Sequence, residues 1–233
     1  MENSEVMQMT IGEIVANDFR TASLFTEANI DFCCGGKKSL EKACTESQID
    51  IDDFLVKLNS LQSIPQIQGQ NFKEWDLGFL CDYIRNTHHK YVLKTLPDLV
   101  FYTGKISGVH GMNHPELKEI ADVFLKINTE LLQHLKNEEE VLFPAIKEAV
   151  KNKSAHSKST IISEIERMAG EHEFAGGAMD KINQLSMGYT LPEDACNTYR
   201  LCYQLLKQFE DDLHIHVHLE NNILFPKALQ LSN

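Results

Sequence analysis

Long apolar runs and basic residues are scarce in this chain of 233 residues, and each scarcity excludes a class of protein. No stretch approaches the roughly 18 uncharged apolar residues of a membrane-spanning helix, so we expect no membrane partner. The 22 Lys and Arg stand against 34 Asp and Glu, and a formal charge of −12 argues against a nucleic-acid partner. The first residues lack a basic segment followed by an apolar one, so no secretory signal is predicted and the cytoplasm is expected. The six Cys are therefore expected to be reduced thiols.

Strand-like alternation is also missing, whereas helical periodicity runs through almost the whole chain. We predict an all-α protein with a small helical domain over residues 1–62, a linker over 63–71, and an antiparallel four-helix bundle over 72–233. The short helices are predicted from Thr10 to about Ala28, from Ser39, and over about 51–61. The bundle helices are predicted over about 76–105, 115–152, 158–187 and 192–231, the last with a capping box at Thr190–Glu193. Pro97, Pro144 and Pro226 are expected to kink or stop these helices.

Two similar phrases, HLKNEEEVLFP from His134 and HVHLENNILFP from His216, lie 82 residues apart. In each, a Glu follows the His by four residues (Glu138 and Glu220), so both side chains face one side of a helix. Steps of three and four place each pair in the apolar seam of its helix. The seams are Ile127, Leu131, His134, Glu138, Val141, Ala145 and Phe209, Leu213, His216, Glu220, Ile223.

A buried, ionised Glu costs several kcal/mol unless a cation meets it, and these seams contain no Arg or Lys. In a pair of ordinary surface helices, the His and Glu would instead lie on the solvent-exposed face. The seam of the third helix contains His172, between Met168 and Ala175. The pattern therefore predicts a metal site in the bundle core.

The first bundle helix offers two adjacent candidates, His88 and His89, and periodicity does not decide between them. Spacing favours His89, because His89 and His134 are 45 residues apart and His172 and His216 are 44 apart. The bundle then reads as a duplicated helix pair, and each half supplies a His followed by His-x-x-x-Glu. His214 and His218 fall on the opposite face of their helix and are not expected to be ligands.

Four imidazoles and two carboxylates exceed the needs of one tetrahedral zinc. Shared between two ions, they give each ion two His, and each Glu can bridge the pair with its two oxygen atoms. Nitrogen and oxygen donors without a thiolate suit iron or manganese, and a pair of irons fits best. A bridging oxo or hydroxo ligand would complete the pair.

The loop DFCCGGKKSL (31–40) contains the adjacent Cys33 and Cys34. Neighbouring Lys37 and Lys38 and a helix start near Ser39 predict a lowered thiol pKa and reactive thiolates, although half-buried packing thiols are an equally good interpretation. The remaining thiols, Cys44, Cys81, Cys196 and Cys202, lie on helical patterns and are interpreted as packing residues.

The His and Glu pattern resembles the hemerythrin-like, His-His-Glu domain over about residues 72–231. Hemerythrins proper have an additional His and one Asp in place of a Glu, so reversible O2 carriage is not implied. With the DFCCGG domain, the chain closely resembles the iron–sulfur cluster repair di-iron proteins. That resemblance implies the ligands His89, His134, Glu138, His172, His216 and Glu220, with functional Cys33 and Cys34; Glu171, preceding His172, is a candidate for supporting a ligand or relaying protons.

The resemblance implies a non-haem di-iron protein that repairs clusters damaged by nitric oxide or peroxide, by donating iron to damaged iron–sulfur proteins. Two alternatives remain open at this point. One is an enzyme that reduces or scavenges NO at the di-iron centre, and the other is a sensor of O2 or NO. A homodimer formed through the small Cys-bearing domain is also plausible, because that domain lacks a large core.

Overall fold

The computed structural model describes residues 3–62, 71–152 and 155–231. Within these ranges the chain is helical, and its β-structure is one antiparallel bridge between Thr10 and Ser39, so the predicted all-α class is confirmed. The α-helices are α1 (Asn3–Gln8), α2 (Ile11–Asn17), α3 (Ala22–Glu27), α4 (Leu40–Glu46), α5 (Ile51–Gln62), α6 (Leu77–Ile84), α7 (Lys90–His110), α8 (Glu116–Asn137), α9 (Phe143–Asn152), α10 (Ala155–Leu185), α11 (Asn197–Leu219) and α12 (Phe225–Gln230). Of the described helices, none is long and apolar enough to cross a membrane.

Four helical rods form the predicted bundle. They are α6–α7, α8–α9, α10 and α11–α12, and α7 packs against α8 and α11 while α10 packs against α8 and α11. The first rod continues to His110, beyond the predicted end at 105. The last begins at Asn197, with Cys196 at its N-cap, so the predicted capping box at Thr190–Glu193 is wrong.

Each of the three two-part rods contains a π-helical turn where its two α-helices meet. The turns are Arg85–His89, Glu138–Leu142 and Glu220–Leu224. In the last two, the N–H of Phe143 or Phe225 donates to the Glu carbonyl five residues earlier. A proline follows each Phe, and its ring clashes with the carbonyl four residues before it in a regular α-helix. The wider turn relieves that clash, so the rods continue past Pro144 and Pro226.

The π turns also change which residues are buried. A π turn adds one residue to a helical turn, so the buried position after Glu138 is Leu142 rather than Val141. Val141 is 39% exposed, and the predicted seam is wrong at that residue. Pro97 was expected to kink or stop its helix. It lies inside α7, which continues to His110, so Pro97 does not stop the helix.

The N-terminal helices α1–α5 surround a separate apolar cluster that includes Ile11, Phe25, Leu40 and Leu58. The capping box of Thr10 and Glu13 forms as predicted. The helix from Thr10 does not reach Ala28, because Asp18 is extended and its carboxylate accepts the backbone N–H of Arg20. Of the predicted linker 63–71, only Asn71 lies within the described residues.

Asn222, in the third π turn, joins the N-terminal helices to the bundle. Its Nδ2 donates to the carbonyls of Phe32 (3.2 Å) and Cys33 (3.1 Å). Gly12 and Gly36 lie against the same side chain. A Cβ at Gly12 would lie 2.2 Å from Asn222 Oδ1, and a Cβ at Gly36 would lie 2.6 Å from it. These positions need glycine because backbone and amide approach so closely.

Candidate metal centre

A buried polar layer crosses the bundle between two apolar clusters. One cluster includes Val92, Leu131 and Leu213, and the other includes Ile84, Met168 and Ile223. The layer consists of the six His and Glu side chains singled out above, and each is at most 3% exposed: His89, His134, Glu138, His172, His216 and Glu220. The four rods therefore bring together all six of these residues.

The layer divides into two groups of potential ligands that share both carboxylates. In the first group, His89 Nε2 lies 3.3 Å from Glu138 Oε2, and His216 Nε2 lies 3.0 Å from Glu220 Oε1. His89 Nε2 is also 4.0 Å from Glu220 Oε1. All four potential ligand atoms lie within 4.8 Å of one another.

The second group repeats this arrangement. His134 Nε2 lies 3.4 Å from Glu138 Oε2, and His172 Nε2 lies 3.2 Å from Glu220 Oε2. These four ligand atoms again lie within 4.8 Å of one another. Each group thus has two imidazoles and a carboxylate oxygen from each Glu. Glu220 offers Oε1 to the first group and Oε2 to the second, whereas Oε2 of Glu138 is the oxygen near both His89 and His134.

Several atoms at the centre of this layer have no hydrogen-bond partner among the described residues. They are His89 Nε2, both carboxylate oxygens of Glu138, and Glu220 Oε2. His134 Nε2 and His172 Nε2 lie 3.2 Å apart. Unpaired buried carboxylate and imidazole atoms are costly, and cations bound between them would satisfy every one. The residues present therefore fit a metal centre.

The outer nitrogens of three imidazoles are held by neighbouring side chains. His89 Nδ1 lies 2.9 Å from Glu139 Oε1, and His134 Nδ1 lies 2.7 Å from Glu171 Oε2. His172 Nδ1 lies 2.9 Å from Asn221 Oδ1. These oxygens accept, so each Nδ1 donates. When the ring is neutral, as a metal-binding imidazole must be, Nε2 has a lone pair facing the centre. This is the usual arrangement around metal-binding imidazoles.

Glu171 was singled out from the sequence, whereas Glu139 and Asn221 were not. Glu171 is itself held by Arg167, whose Nη1 donates to Glu171 Oε1 at 2.5 Å. Both missed residues directly follow a seam Glu, at Glu138 and Glu220. That adjacency was the available signal, because a residue next to a ligand on a helix can turn toward a ligand from another helix.

His88 lies outside the six-residue layer, although it is equally buried. Its Nδ1 lies 2.9 Å from Asp212 Oδ1, and its ring stacks on that of His216 at 5.6 Å. The structure thus places His89, and not His88, beside the two Glu, in agreement with the spacing argument. The π turn Arg85–His89 explains why periodicity could not separate the two residues.

Burial and opposing charges shift the pKa values in this layer. Burial alone would lower the pKa of His89 and of His134, but Glu138 and Glu220 outweigh it and raise both to about 10. Burial and Glu220 would raise the pKa of Glu138, yet His134 and His89 lower it to about 2. Burial lowers the pKa of His216. Burial would also raise the pKa of Glu220, yet His216 and His172 lower it well below the ordinary value. Both carboxylates are therefore held ionised, as metal ligands must be.

The Cys loop lies beside this layer. Cys34 Sγ is 3.5 Å from the carbonyl oxygen of His172, and Cys34 and Lys37 line a cavity of about 160 Å³ that also contacts Asn221. Cys33 is buried against Cys34 and Asp31, which raises its pKa well above the ordinary thiol value. The predicted lowering of the thiol pKa is therefore wrong for Cys33. Lys38 forms an ion pair with Glu46 instead of meeting the thiols.

His214 and His218 contact the N-terminal helices, and neither belongs to the two ligand groups at the centre. The Phe32 ring lies edge-on to both imidazoles, at 6.3 Å from His214 and 5.5 Å from His218. His218 Nδ1 also approaches the Phe32 carbonyl at 3.5 Å. These residues form part of the surface on which the Cys loop docks.

A four-helix bundle with two shared groups of buried His and Glu defines a hemerythrin-like, cation-binding protein. Residues 84–228 match the family described as hemerythrin HHE cation binding domain, and residues 7–62 match ScdA_N, a domain of unknown function. The chain is 32% identical over 219 residues to the iron-sulfur cluster repair protein ScdA of Staphylococcus epidermidis, covering 94% of this chain and 96% of the relative. It is 35% identical over 211 residues to the iron-sulfur cluster repair protein YtfE of Yersinia pestis, covering 91% and 92%.

The chain belongs to the family of these iron-sulfur cluster repair proteins. The resemblance found from DFCCGG and the two His-x-x-x-Glu phrases is thereby confirmed.

Proposed function

We propose that this chain is a non-haem di-iron protein that repairs iron–sulfur clusters damaged by nitric oxide or peroxide. The observation that supports this most strongly is the pair of ligand groups sharing Glu138 and Glu220. His89 and His216 would hold one ion, and His134 and His172 the other. Nitrogen and oxygen donors at this ratio suit iron better than a soft metal.

A pair of irons held there would provide the metal that a damaged cluster has lost. Ligands from four separate rods would hold it, so small movements of the rods could open the site. Glu139, Glu171 and Asn221 would keep the imidazoles aimed at the centre. The names of the relatives, which are iron-sulfur cluster repair proteins, support cluster repair over NO reduction or O2 sensing as the main role.

We assign different roles to the two Cys of the loop. Cys34 lines the cavity beside the centre and is partly exposed, so it is the thiol that could receive iron or contact a damaged protein. Cys33 is 3% exposed, and it shares the carboxylate of Asp31 with the backbone N–H groups of the loop. Its role would be to hold the loop in place. The cytoplasmic location, a homodimer, and the division at residues 62 and 72 remain predictions.

The first test is metal content. Anaerobically purified protein should contain two irons per chain, and Glu138→Ala or Glu220→Ala should contain one or none, because each carboxylate serves both ions. Glu140→Ala is the matched control, since its carboxylate is exposed on the same turn and should leave both irons in place. Helix content by circular dichroism shows whether the variants fold. One zinc per chain in the wild type would contradict the di-iron assignment.

The second test is repair itself. Iron-loaded protein should restore activity to an NO-damaged cluster enzyme under anaerobic conditions faster than free iron at equal concentration. If free iron restores activity and the loaded protein does not, the donor role is wrong. Sustained conversion of NO to N2O over many turnovers would instead favour the enzyme alternative.

A further inference from the structure

A second reactive cluster lies at the end of the bundle opposite the metal centre. It contains Cys196, His110, His114 and Asp194. His110 follows His89 by 21 residues along nearly continuous helix, which corresponds to about 30 Å. Cys196 was interpreted from the sequence as a packing residue, and that interpretation is wrong, because the side chain is exposed.

The geometry around Cys196 is that of a thiol paired with a base. Its Sγ lies 3.2 Å from His110 Nε2. Cys196 is also the N-cap of α11, a helix of 23 residues whose N-terminal dipole favours negative charge. The sulfur therefore has an imidazole on one side and a helix N-terminus on the other.

The neighbouring charged groups leave His110 free to serve the sulfur. His114, one turn beyond His110, lies 2.9 Å from Asp194 Oδ1 and 3.3 Å from Glu116 Oε1. These two carboxylates are thus engaged by His114. The other face of His110 packs on the ring of Tyr199 at 5.3 Å, which fixes the orientation of the imidazole.

The pKa values separate this thiol from others in the chain. Backbone amides at the start of α11 and the His110 side chain lower the pKa of Cys196 to about 7. Burial raises the pKa of Cys202 to about 12 and also raises that of Cys44 and Cys81. The exposed thiol at the bundle end is therefore the one with the larger thiolate fraction at neutral pH.

We propose that Cys196 is a modification site at which the thiolate reduces a hydroperoxide to form a sulfenic acid, with His110 as the proton donor. His110 first takes the thiol proton. The sulfur then attacks the terminal oxygen of the hydroperoxide, so that an S–O bond forms and the O–O bond breaks. The leaving oxygen takes the proton from the His110 imidazolium and departs as water or alcohol. Sulfur loses two electrons, and the peroxide gains them.

The test compares two reagents on the full-length, air-purified protein, with a chelator present to bind free iron. Iodoacetamide needs only the thiolate, because iodide leaves without a proton, whereas a hydroperoxide also needs the proton donor. Sulfenic acid is trapped with dimedone, and modification of each Cys is followed by peptide mass spectrometry. Cys196 should react faster than Cys44, Cys81 and Cys202 with both reagents at pH 7.

His110→Gln should slow the iodoacetamide reaction at pH 7 by up to about three-fold. That limit corresponds to a full return to the ordinary thiol pKa of about 8.5, which lowers the thiolate fraction about fifteen-fold while higher intrinsic nucleophilicity recovers about five-fold. The backbone amides of α11 still lower the pKa of Cys196 in this variant, so the slowing should stay below that limit. The hydroperoxide reaction should slow by about ten-fold or more, because the proton donor is lost as well. At about pH 9.5 both forms are largely thiolate, so the slowing should disappear, and the more basic thiolate of the variant should react up to about five-fold faster than that of the wild type.

Glu193→Gln is the control, because it changes an exposed side chain of the loop that leads into α11, and it should change both rates at Cys196 by less than about two-fold. Cys196→Ser should remove dimedone from that peptide and leave the other Cys peptides unchanged. Equal slowing of both reagents by His110→Gln would overturn the proton-donor role. A Cys196 that reacts no faster than the buried thiols would overturn the site itself.

Discussion

At the scale of single residues, the side chain that binds the outer nitrogen (Nδ1) of an imidazole fixes the ring, so that the inner nitrogen (Nε2) faces the metal centre. Glu171 accepts from His134 Nδ1 at 2.7 Å and is itself held by Arg167. Glu171→Ala should lower the affinity for iron about 10- to 100-fold, because the His134 ring loses its orienting partner. The measurement is competition with a chelator of known affinity.

Two further variants show whether this effect is specific. Glu171→Gln keeps an oxygen that can accept from His134, so its affinity should fall between wild type and Glu171→Ala. Glu166→Ala removes an exposed carboxylate from the same helix and should bind iron as the wild type does. Equal affinities in wild type and Glu171→Ala would contradict an orienting role for Glu171.

At the scale of helices, the contact between α2, the Cys loop and the third π turn depends on Gly12 and Gly36, which lie against Asn222. A Cβ at Gly12 would lie 2.2 Å from Asn222 Oδ1, whereas one at Gly104 in α7 would meet nothing within 4 Å. Gly12→Ala should therefore destabilise the protein by about 1–3 kcal/mol through overpacking. Gly104→Ala, also inside a helix, should stabilise it by about 0.5–1 kcal/mol. Chemical denaturation of both variants measures the difference.

Loss of the contact between the Cys loop and Asn222 should also change the accessibility of Cys33. If Gly12→Ala displaces the loop, Cys33 should become accessible to iodoacetamide, whereas in the wild type it is buried. Equal stability of Gly12→Ala and wild type, with Cys33 still protected, would mean that Asn222 can move aside at no cost.

The same helices show how far sequence periodicity predicts the site. Steps of three and four place His134, Glu138, His172, His216 and Glu220 inside the bundle, because α8, α10 and α11 are regular up to those residues. Periodicity fails where a π turn adds a residue, and His88 cannot be separated from His89 for that reason. Asn221 and Glu139 are beyond such a prediction, because their importance depends on which imidazole of another rod they meet.

At the scale of the whole molecule, the N-terminal helices cover one side of the metal centre. Cys33 belongs to one apolar cluster of the bundle, and Ala16 belongs to the other. The ring of Phe19 packs on Phe72 at 5.1 Å and lies 6.3 Å from that of His218. The sequence predicts two separate units from the linker composition, but it does not reveal this docking, because the contacts join residues almost 200 positions apart.

This arrangement makes removal of the N-terminal helices informative. A fragment of residues 71–233 contains all six proposed ligands, so it should fold as a bundle and bind two irons. It should lose iron to a chelator several-fold faster than the full chain, because Cys34 and Lys37 no longer cover the cavity beside Asn221. Full-length Gly12→Ala, with a loosened contact, should fall between the two. Equal release rates from fragment and full chain would show that the N-terminal helices do not limit access to the centre, and their role would then lie in contacting the damaged protein.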